Sequence, residues 1–384
     1  MRPHWNNCVT HFDEQVASFV QDYFARPDRR CLLVAGAGFD PRAALVPTLL
    51  AKALGSRLEA VLIREERSDP GLDLRTTADE NEARLRDLVS SAKIVEIAIF
   101  AEDGAPVGAA RASEVFRALD VAQNTTDVVL DMSAVSLGIA FPVAKLLLDA
   151  CERRSDLNFH LFVASNPELD ETIVGEPADR AMSVRGYAGD TPLGDDTVAR
   201  IWLPQLARCG AAALDRIQAS LQAVYKVCPM LPFPARNPRR ADDLIAEFGM
   251  RLRDDWQVSA GDLIYVSERN PLDSYRTIST LKERFDRTVR GIYFPQIVLS
   301  PIGSKVMAVG AMMAAIEYNL TVQYVETLRY DWSKPKEPSS GDTIVHVWLH
   351  GPVYDGYRAI APTDIVSAPT EQVSAAAGTS ERNR

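Results

Sequence analysis

The chain has 384 residues, 47% of them hydrophobic and 24% charged, with a formal net charge of −10. That length exceeds the roughly 250–300 residues that one hydrophobic core fills, so two packed units are expected. The acidic balance excludes a protein that coats nucleic acid non-specifically, because such binding draws on many lysines and arginines neutralising phosphates.

A local basic pocket is compatible with that balance. The five cysteines, Cys8, Cys31, Cys151, Cys209 and Cys228, are scattered and lack a C-x-x-C spacing. They read as small buried hydrophobes in a reducing cytoplasm rather than as a disulfide framework or zinc site. Met1 to Asn7 lacks the apolar run of a secretory leader. The longest apolar helical stretch, Val306 to Ile316, is about half of what a membrane span requires. A soluble protein without a membrane partner is the expectation.

Along the chain, residues 1–30 form a helical lead-in and Cys31 to Ala35 reads as a buried parallel strand. A glycine turn and a helix to Leu54 follow, then a strand from Arg57 to Ile63. The next pairs are a helix near Glu80 to Ala92 with the strand Ile94 to Phe100, and a helix near Ala109 to Leu119 with the strand Asp127 to Asp131. The helix Leu137 to Glu152 and the strand Asn158 to Ala164 complete a first Rossmann-like half over 31–165. Strands alternating with helices predict right-handed crossovers and a mostly parallel sheet.

Residues 166–200 are rich in Pro, Gly, Asp and Glu without a sustained period, which predicts a loop or lid. The alternation resumes over 201–360: helix Ala211 to Ala223, strand Tyr225 to Met230, helix Asp242 to Arg253, strand Asp262 to Val266, helix Leu272 to Val289, strand Tyr293 to Leu299, helix Ser304 to Glu317 and strand Thr321 to Val325. Thr343 to Leu349 reads as an antiparallel edge strand, and the Ala/Ser/Thr/Pro-rich 361–384 as a disordered tail. The fold class is therefore α/β, with two Rossmann-like, doubly wound, mostly parallel sheets. Asp127 to Val163 and Gln296 to Val325 echo each other as strand, small polar loop, small-residue helix, strand, which fits a pseudo-duplicated pair.

Function is sought where strands end and helices begin. In Leu299-Ser-Pro-Ile-Gly-Ser-Lys-Val-Met307, Gly303 permits a tight backbone, Ser304 can cap the helix and Lys305 sits in its first turn. Free amides and the helix dipole make such a turn ready for phosphate. A first-turn lysine opposes the dipole, and an anionic partner would resolve that conflict; the other reading is an ordinary serine cap with a solvated lysine. Ser300 to Met307 resembles the strand, (T/S)-x-G-(T/S)-K-x-M, helix signature of CARF domains, Rossmann-like sensors of cyclic oligonucleotides in prokaryotic defence. The resemblance implies phosphate contacts at Gly303, Ser304 and Lys305, with Ser300 beside them. Asp131-Met-Ser-Ala-Val-Ser136, the counterpart in the first half, lacks the glycine and lysine. One intact and one degenerate unit resembles the fused SAVED sensors, with Ser133 and Ser136 as degenerate counterparts.

Gly36-Ala-Gly-Phe-Asp-Pro-Arg42 is a second turn in which Gly36 and Gly38 admit a ligand or another backbone, Asp40 caps a helix or reads ribose hydroxyls, and Arg42 binds phosphate or pairs with a carboxylate. It is not a G-x-G-x-x-G fingerprint. A third segment clusters Arg236, Arg239 and Arg240 before a helix, as a phosphate-reading set or a solvated basic loop. Glu268 and Arg269 stand at another strand's carboxyl end, the edge where open α/β sheets bind ligands. His346 and His350 share a strand face but read as strand residues rather than a zinc pair, so no metal or cofactor is expected. The sequence predicts a nucleotide or cyclic-oligonucleotide second-messenger sensor acting through a partner effector protein. The alternative is a hydrolase of NAD or a cyclic nucleotide using Asp131 or Glu268.

Overall fold

A computed structural model describes residues 5–68, 71–190, 197–289, 291–333 and 341–354. In chain order the first half runs β1 (Val9–Phe12), α1 (Glu14–Phe19), β2 (Cys31–Gly36), α2 (Leu45–Leu54), β3 (Leu58–Glu66), α3 (Leu72–Leu88), β4 (Ser91–Ala98), α4 (Gly108–Arg117), β5 (Asp127–Asp131), α5 (Leu137–Glu152) and β6 (Asn158–Ser165). The chain continues through α6 (Pro167–Asp170), β7 (Ile173–Ser183), β8 (Val198–Pro204), α7 (Ala211–Ser220), β9 (Lys226–Val227), β10 (Met230–Pro232) and α8 (Arg240–Glu247). It closes with β11 (Ile264–Val266), α9 (Pro271–Val289), β12 (Phe294–Ser300), α10 (Lys305–Tyr318), β13 (Thr321–Trp332) and β14 (Thr343–His350).

These elements build an α/β fold with two mixed, mostly parallel sheets flanked by helices. The seven-stranded sheet has the order β1-β14-β6-β5-β2-β3-β4, and the five-stranded one β7-β13-β12-β8-β9, beside a short parallel pair β10-β11. Each sheet reverses direction once. After β2 the chain moves out through β3 and β4, then returns to lay β5 and β6 on the other side of β2. In the smaller sheet β9 lies on one side of β8 while β12 and β13 lie on the other. Such reversals open a crevice outside the strands' carboxyl ends.

Three expected features take another form. The stretch 166–200, read as a loop or lid, contains the eleven-residue β7, antiparallel to β13. Its Gly175 and Pro177 hid it, yet both are tolerable on an edge strand, and bulges at Thr327 absorb the irregularity. β14 is antiparallel as expected, but it pairs with β6 in the larger sheet and is covered by β1, so it is no edge strand. The lead-in 1–30 therefore contributes a strand as well as helix. The tail 361–384 lies outside the described residues.

The two sheets share their apolar interior. Val34 and Leu130 from the larger sheet and Leu203 and Leu299 from the smaller belong to one continuous buried cluster, with α5 and α10 inside it. Every residue of α10 from Val306 to Ile316 is buried, as expected for a helix that is apolar on all faces. Among the described residues no helix is long and apolar enough to cross a membrane.

Gly310 sets how closely α9 and α10 approach. A β-carbon there would lie 2.1 Å from the Pro271 carbonyl oxygen and 2.7 Å from Ser274 Cβ. Gly310→Ala should lower unfolding free energy by about 1–3 kcal/mol through overpacking. Gly38→Ala, with nothing within 4 Å of the added carbon, should be tolerated, and chemical denaturation of both variants checks the contrast.

Candidate functional site

The two reversals face each other across one cleft of about 360 Å³. The loops after β2 (Gly38 to Arg42), β5 (Ala134 to Gly138), β8 (Leu206 to Gly210) and β12 (Ile302 to Lys305) all line it. Glu65 and Arg67 from the end of β3 and Tyr324 to Thr327 from β13 close one side, and Glu268 and Arg240 the other.

Lys305 joins the walls. Its ammonium leaves the first turn of α10 and donates to the Ser133 carbonyl, with the Val135 carbonyl at 3.4 Å. Both carbonyls belong to the β5–α5 loop of the other sheet. The dipole conflict noted in the sequence is thus answered inside the chain by carbonyl oxygens and by the nearby Asp40. Burial holds the lysine below its ordinary pKa, and Asp40 opposes that effect.

Arg42 is 2% exposed and forms a fork with Asp40, through Nε at 2.9 Å and Nη2 at 2.7 Å, while Nη2 also meets Asp170 at 2.8 Å. Its remaining nitrogen, Nη1, is buried and has no hydrogen-bond partner among the described residues. Asp40 also caps the short turn that follows, accepting from Arg42 N at 2.9 Å. Burial tends to raise the Asp40 carboxyl, but Arg42 prevails and holds it below the usual range. Asn81 fixes this loop by donating to the carbonyls of Gly38 at 2.8 Å and Asp40 at 3.1 Å.

The two helices that point into the cleft end differently. Ser136 precedes α5 and Ser304 precedes α10, and neither side chain caps its helix. Ser136 N donates to Glu65 Oε1 at 2.7 Å, so a carboxylate of the chain already stands at the α5 end. The Ser136 hydroxyl is buried without a partner among the described residues. Opposite, Arg67 holds Glu65 at 3.2 Å and Glu326 at 3.4 Å and lies over the Tyr330 ring at 5.0 Å. Burial raises the Glu326 carboxyl, against the pull of Arg67. Gly138 is required here, since a β-carbon would sit 2.7 Å from the Tyr324 ring.

The cleft thus collects Gly38, Asp40, Arg42, Ser136, Arg240, Glu268, Gly303, Ser304 and Lys305 from the residues singled out in the sequence. Others lie elsewhere. Gly36 is needed because a β-carbon would lie 2.3 Å from the Ala134 carbonyl oxygen, a close backbone approach rather than a ligand contact. Ser300 is buried and accepts from Trp202 Nε1 at 2.9 Å. Ser133 is buried, donates to Asp131 and accepts from Ala164 N at 2.7 Å. Asp131 is 1% exposed and shapes the β5–α5 turn through Ser133, so it does not reach the cleft. Arg236 lines an adjoining recess of about 160 Å³ with Arg208 and Arg240. Arg239 is exposed, and Arg269 pairs with Asp13 outside both. Glu268 lines the cleft but is committed to Arg240 at 3.2 Å and the Arg236 amide at 3.1 Å.

Sequence reasoning missed Arg67, Asp170, Glu171, Arg208, Tyr324, Glu326 and Tyr330. Arg67 was within reach, because it directly follows the carboxyl end of β3. Glu326 and Tyr330 were not, because the strand runs to Trp332 and not to Val325. The lining carries five basic side chains (Arg42, Arg67, Arg208, Arg240, Lys305) against six acidic ones (Asp40, Glu65, Asp170, Glu171, Glu268, Glu326). It is polar but not a basic funnel. Among the described residues no group of three His, Cys, Asp or Glu side chains is placed to hold a metal ion.

No family model matches the chain, and no curated protein matches it. Among solved structures, a delta-N METTL16 MTase domain is similar at 13% identity and a TM-score of 0.22, over 38% of this chain and 62% of that one. The chain therefore spans less than two thirds of that domain's length. The cytoplasmic domain of a prokaryotic cation chloride cotransporter is similar at 10% identity and a TM-score of 0.23, over 77% of this chain and 95% of that one. A cyclopropane-fatty-acyl-phospholipid synthase-like protein from Lactobacillus casei ATCC 334 is similar at 13% identity and a TM-score of 0.27, over 87% and 89%. At these TM-scores the likenesses carry no argument.

Burial pushes the Asp131 carboxyl up to about 6, against the Ser133 bonds that pull it down. A carboxyl raised on folding stabilises the fold fully below the unfolded value of about 4, and that contribution is lost as pH rises through about 6. Asp131→Asn keeps the acceptor for Ser133 and should remove about 3 kcal/mol of this pH dependence. Urea denaturation of both proteins from pH 4 to pH 7 measures it.

Proposed function

We propose that the cleft binds a small phosphorylated ligand of the nucleotide class, and that the protein acts as a second-messenger sensor. The observation that carries this reading is the uncapped start of α10 on a cleft that also contains a buried Arg42 nitrogen with no partner among the described residues, the start of α5 beside it being already met by Glu65. Free amides and a fixed guanidinium fork are the donors that phosphate oxygens take up. The Ser136 hydroxyl adds a further donor or acceptor without a partner among the described residues.

Size and charge narrow the ligand. A volume of about 360 Å³ falls at the lower end of the ~300–1,000 Å³ range of small-molecule sites, which suits one nucleotide unit better than a large cyclic oligonucleotide. The near balance of basic and acidic lining disfavours a ligand with many phosphates. The acidic members, Glu65 and Glu326 in particular, offer acceptors for ribose hydroxyls or base amino groups. Phe39 and Tyr330, whose ring centroids are 5.3 Å apart, line the same cleft and offer faces for a base.

The resemblance of Ser300 to Met307 to the CARF signature adds the setting: a cytoplasmic component of prokaryotic antiviral defence that signals to a partner effector. The five cysteines are free, four of them buried, which suits a reducing compartment.

Calorimetry with nucleoside mono-, di- and triphosphates and cyclic oligonucleotides tests the reading. A nucleoside monophosphate or cyclic mononucleotide should bind. Ser136→Ala should weaken it by up to about tenfold, the worth of one hydrogen bond, without loss of melting temperature, because it removes a buried polar group that has no partner among the described residues. A panel that gives no heat and no thermal shift, or Ser136→Ala and wild-type proteins of equal affinity, would sink the assignment.

A further inference from the structure

Three histidines outside the cleft form a line through the core of the larger sheet. His11 Nδ1 lies 2.9 Å from His346 Nδ1, His346 Nε2 lies 3.0 Å from His160 Nδ1, and His160 Nε2 lies 3.1 Å from Asp127 Oδ1. The residues come from β1, β14, β6 and the start of β5. His160, His346 and Asp127 are fully buried, whereas His11 is partly exposed. A line of imidazoles joining a solvent-accessible ring to a buried carboxylate goes beyond what packing requires of a strand.

The tautomers follow from the Asp127 end. Its Oδ1 accepts the Tyr23 hydroxyl at 2.9 Å, and the Arg29 guanidinium stands 3.9 Å from Oδ2. The carboxylate is the acceptor, so His160 carries its proton on Nε2 and accepts at Nδ1 from His346 Nε2–H. His346 then accepts at Nδ1 from His11 Nδ1–H. Every ring donates toward Asp127, which leaves His11 Nε2 as the point of entry for a further proton.

We infer that the line is a proton relay, loaded at His11, that carries charge into the sheet and clasps the N-terminal segment in a pH-dependent way. A proton bound at His11 Nε2 releases the Nδ1 proton to His346 Nδ1, and His346 releases its Nε2 proton to His160 Nδ1. Three N–H bonds form and two break, with one proton gained. The charge rests on His160 against Asp127, and both inter-ring hydrogen bonds are reversed.

The relay is also the surface on which the N-terminal segment docks. Phe19 of α1 stacks on His11 and on His346, each at 4.4 Å, and Tyr23 packs beside His160. The charged and titratable groups that face the line are Tyr23, Arg26 and Arg29 after α1, Cys31 of β2, Cys151 of α5, and Asp127 itself. Burial lowers the pKa of all three imidazoles, with Asp127 opposing it at His160. The unfolded segment therefore binds more protons in mild acid. Docking stability is present above the ordinary histidine value of about 6.5 and is lost as pH falls below it.

Nitrogen-15 NMR of the full chain labelled at histidine tests the relay. At pH 8 the account expects Nδ1–H on His11 and Nε2–H on both His346 and His160, and on acidification His160 becomes doubly protonated. Amide protection of Val9–Phe12, corrected for intrinsic exchange, should fall by at least about tenfold between pH 7.5 and 5.5, and by less than about twofold in His346→Leu. An Nδ1-protonated His160 at pH 8, charge that stays on His11, or one pH profile for both proteins would overturn it. The tautomers of the wild-type protein decide the matter even if the leucine variant does not fold.

Discussion

The ammonium of Lys305, half-buried in the first turn of α10 and bonded to carbonyls of the β5–α5 loop, is the contact around which the cleft is organised. A charge partly withdrawn from water is costly unless it is well partnered, so the two loops keep the positions that let the carbonyls receive the lysine. That constraint brings the reversal point of one sheet against that of the other. Arg67 does the same on the β13 side by holding Glu65 of one sheet and Glu326 of the other. The cleft is therefore the gap left between two joined sheets, and its walls are fixed by ionic contacts in the chain itself.

This arrangement changes how the cations should be read. Lys305 and the Asp40 fork of Arg42 are largely satisfied within the protein, and the acidic lining outnumbers the basic. What is left for a ligand is more selective: the amides that begin α10, the Nη1 of Arg42 and the Ser136 hydroxyl. The α5 end is less available, because Glu65 already accepts from Ser136 N. An anion would meet the α10 side first, and acceptors for hydroxyl or amino groups lie opposite.

Much of the fold was legible because buried parallel strands such as Leu32-Leu-Val34 and Val128-Val-Leu130 are short apolar runs between helical periods. β7 was not, since an edge strand needs apolar residues on one face only and tolerates Gly175 and Pro177. The return of β14 to the larger sheet also left no local trace, because pairing with β6 is a long-range choice. In the site, turns at strand ends announced Asp40, Arg42, Gly303, Ser304 and Lys305. Ser133, Ser300 and Asp131 carry the same polar types in similar turns, but their partners are Ala164, Trp202 and Ser133, which only the folded chain reveals. The histidine line was hidden for the same reason: His11 and His346 are 335 positions apart and meet by strand register.

The most direct test of the central claim is a crystal structure of the protein soaked with a nucleoside monophosphate. The account predicts Lys305 bonded to Ser133 and Val135 as described, with phosphate oxygens on the amides after Ser304 and on Arg42 Nη1. A Lys305 turned to solvent away from the β5–α5 loop, or a phosphate bound elsewhere while Arg42 Nη1 meets only the chain, would contradict it.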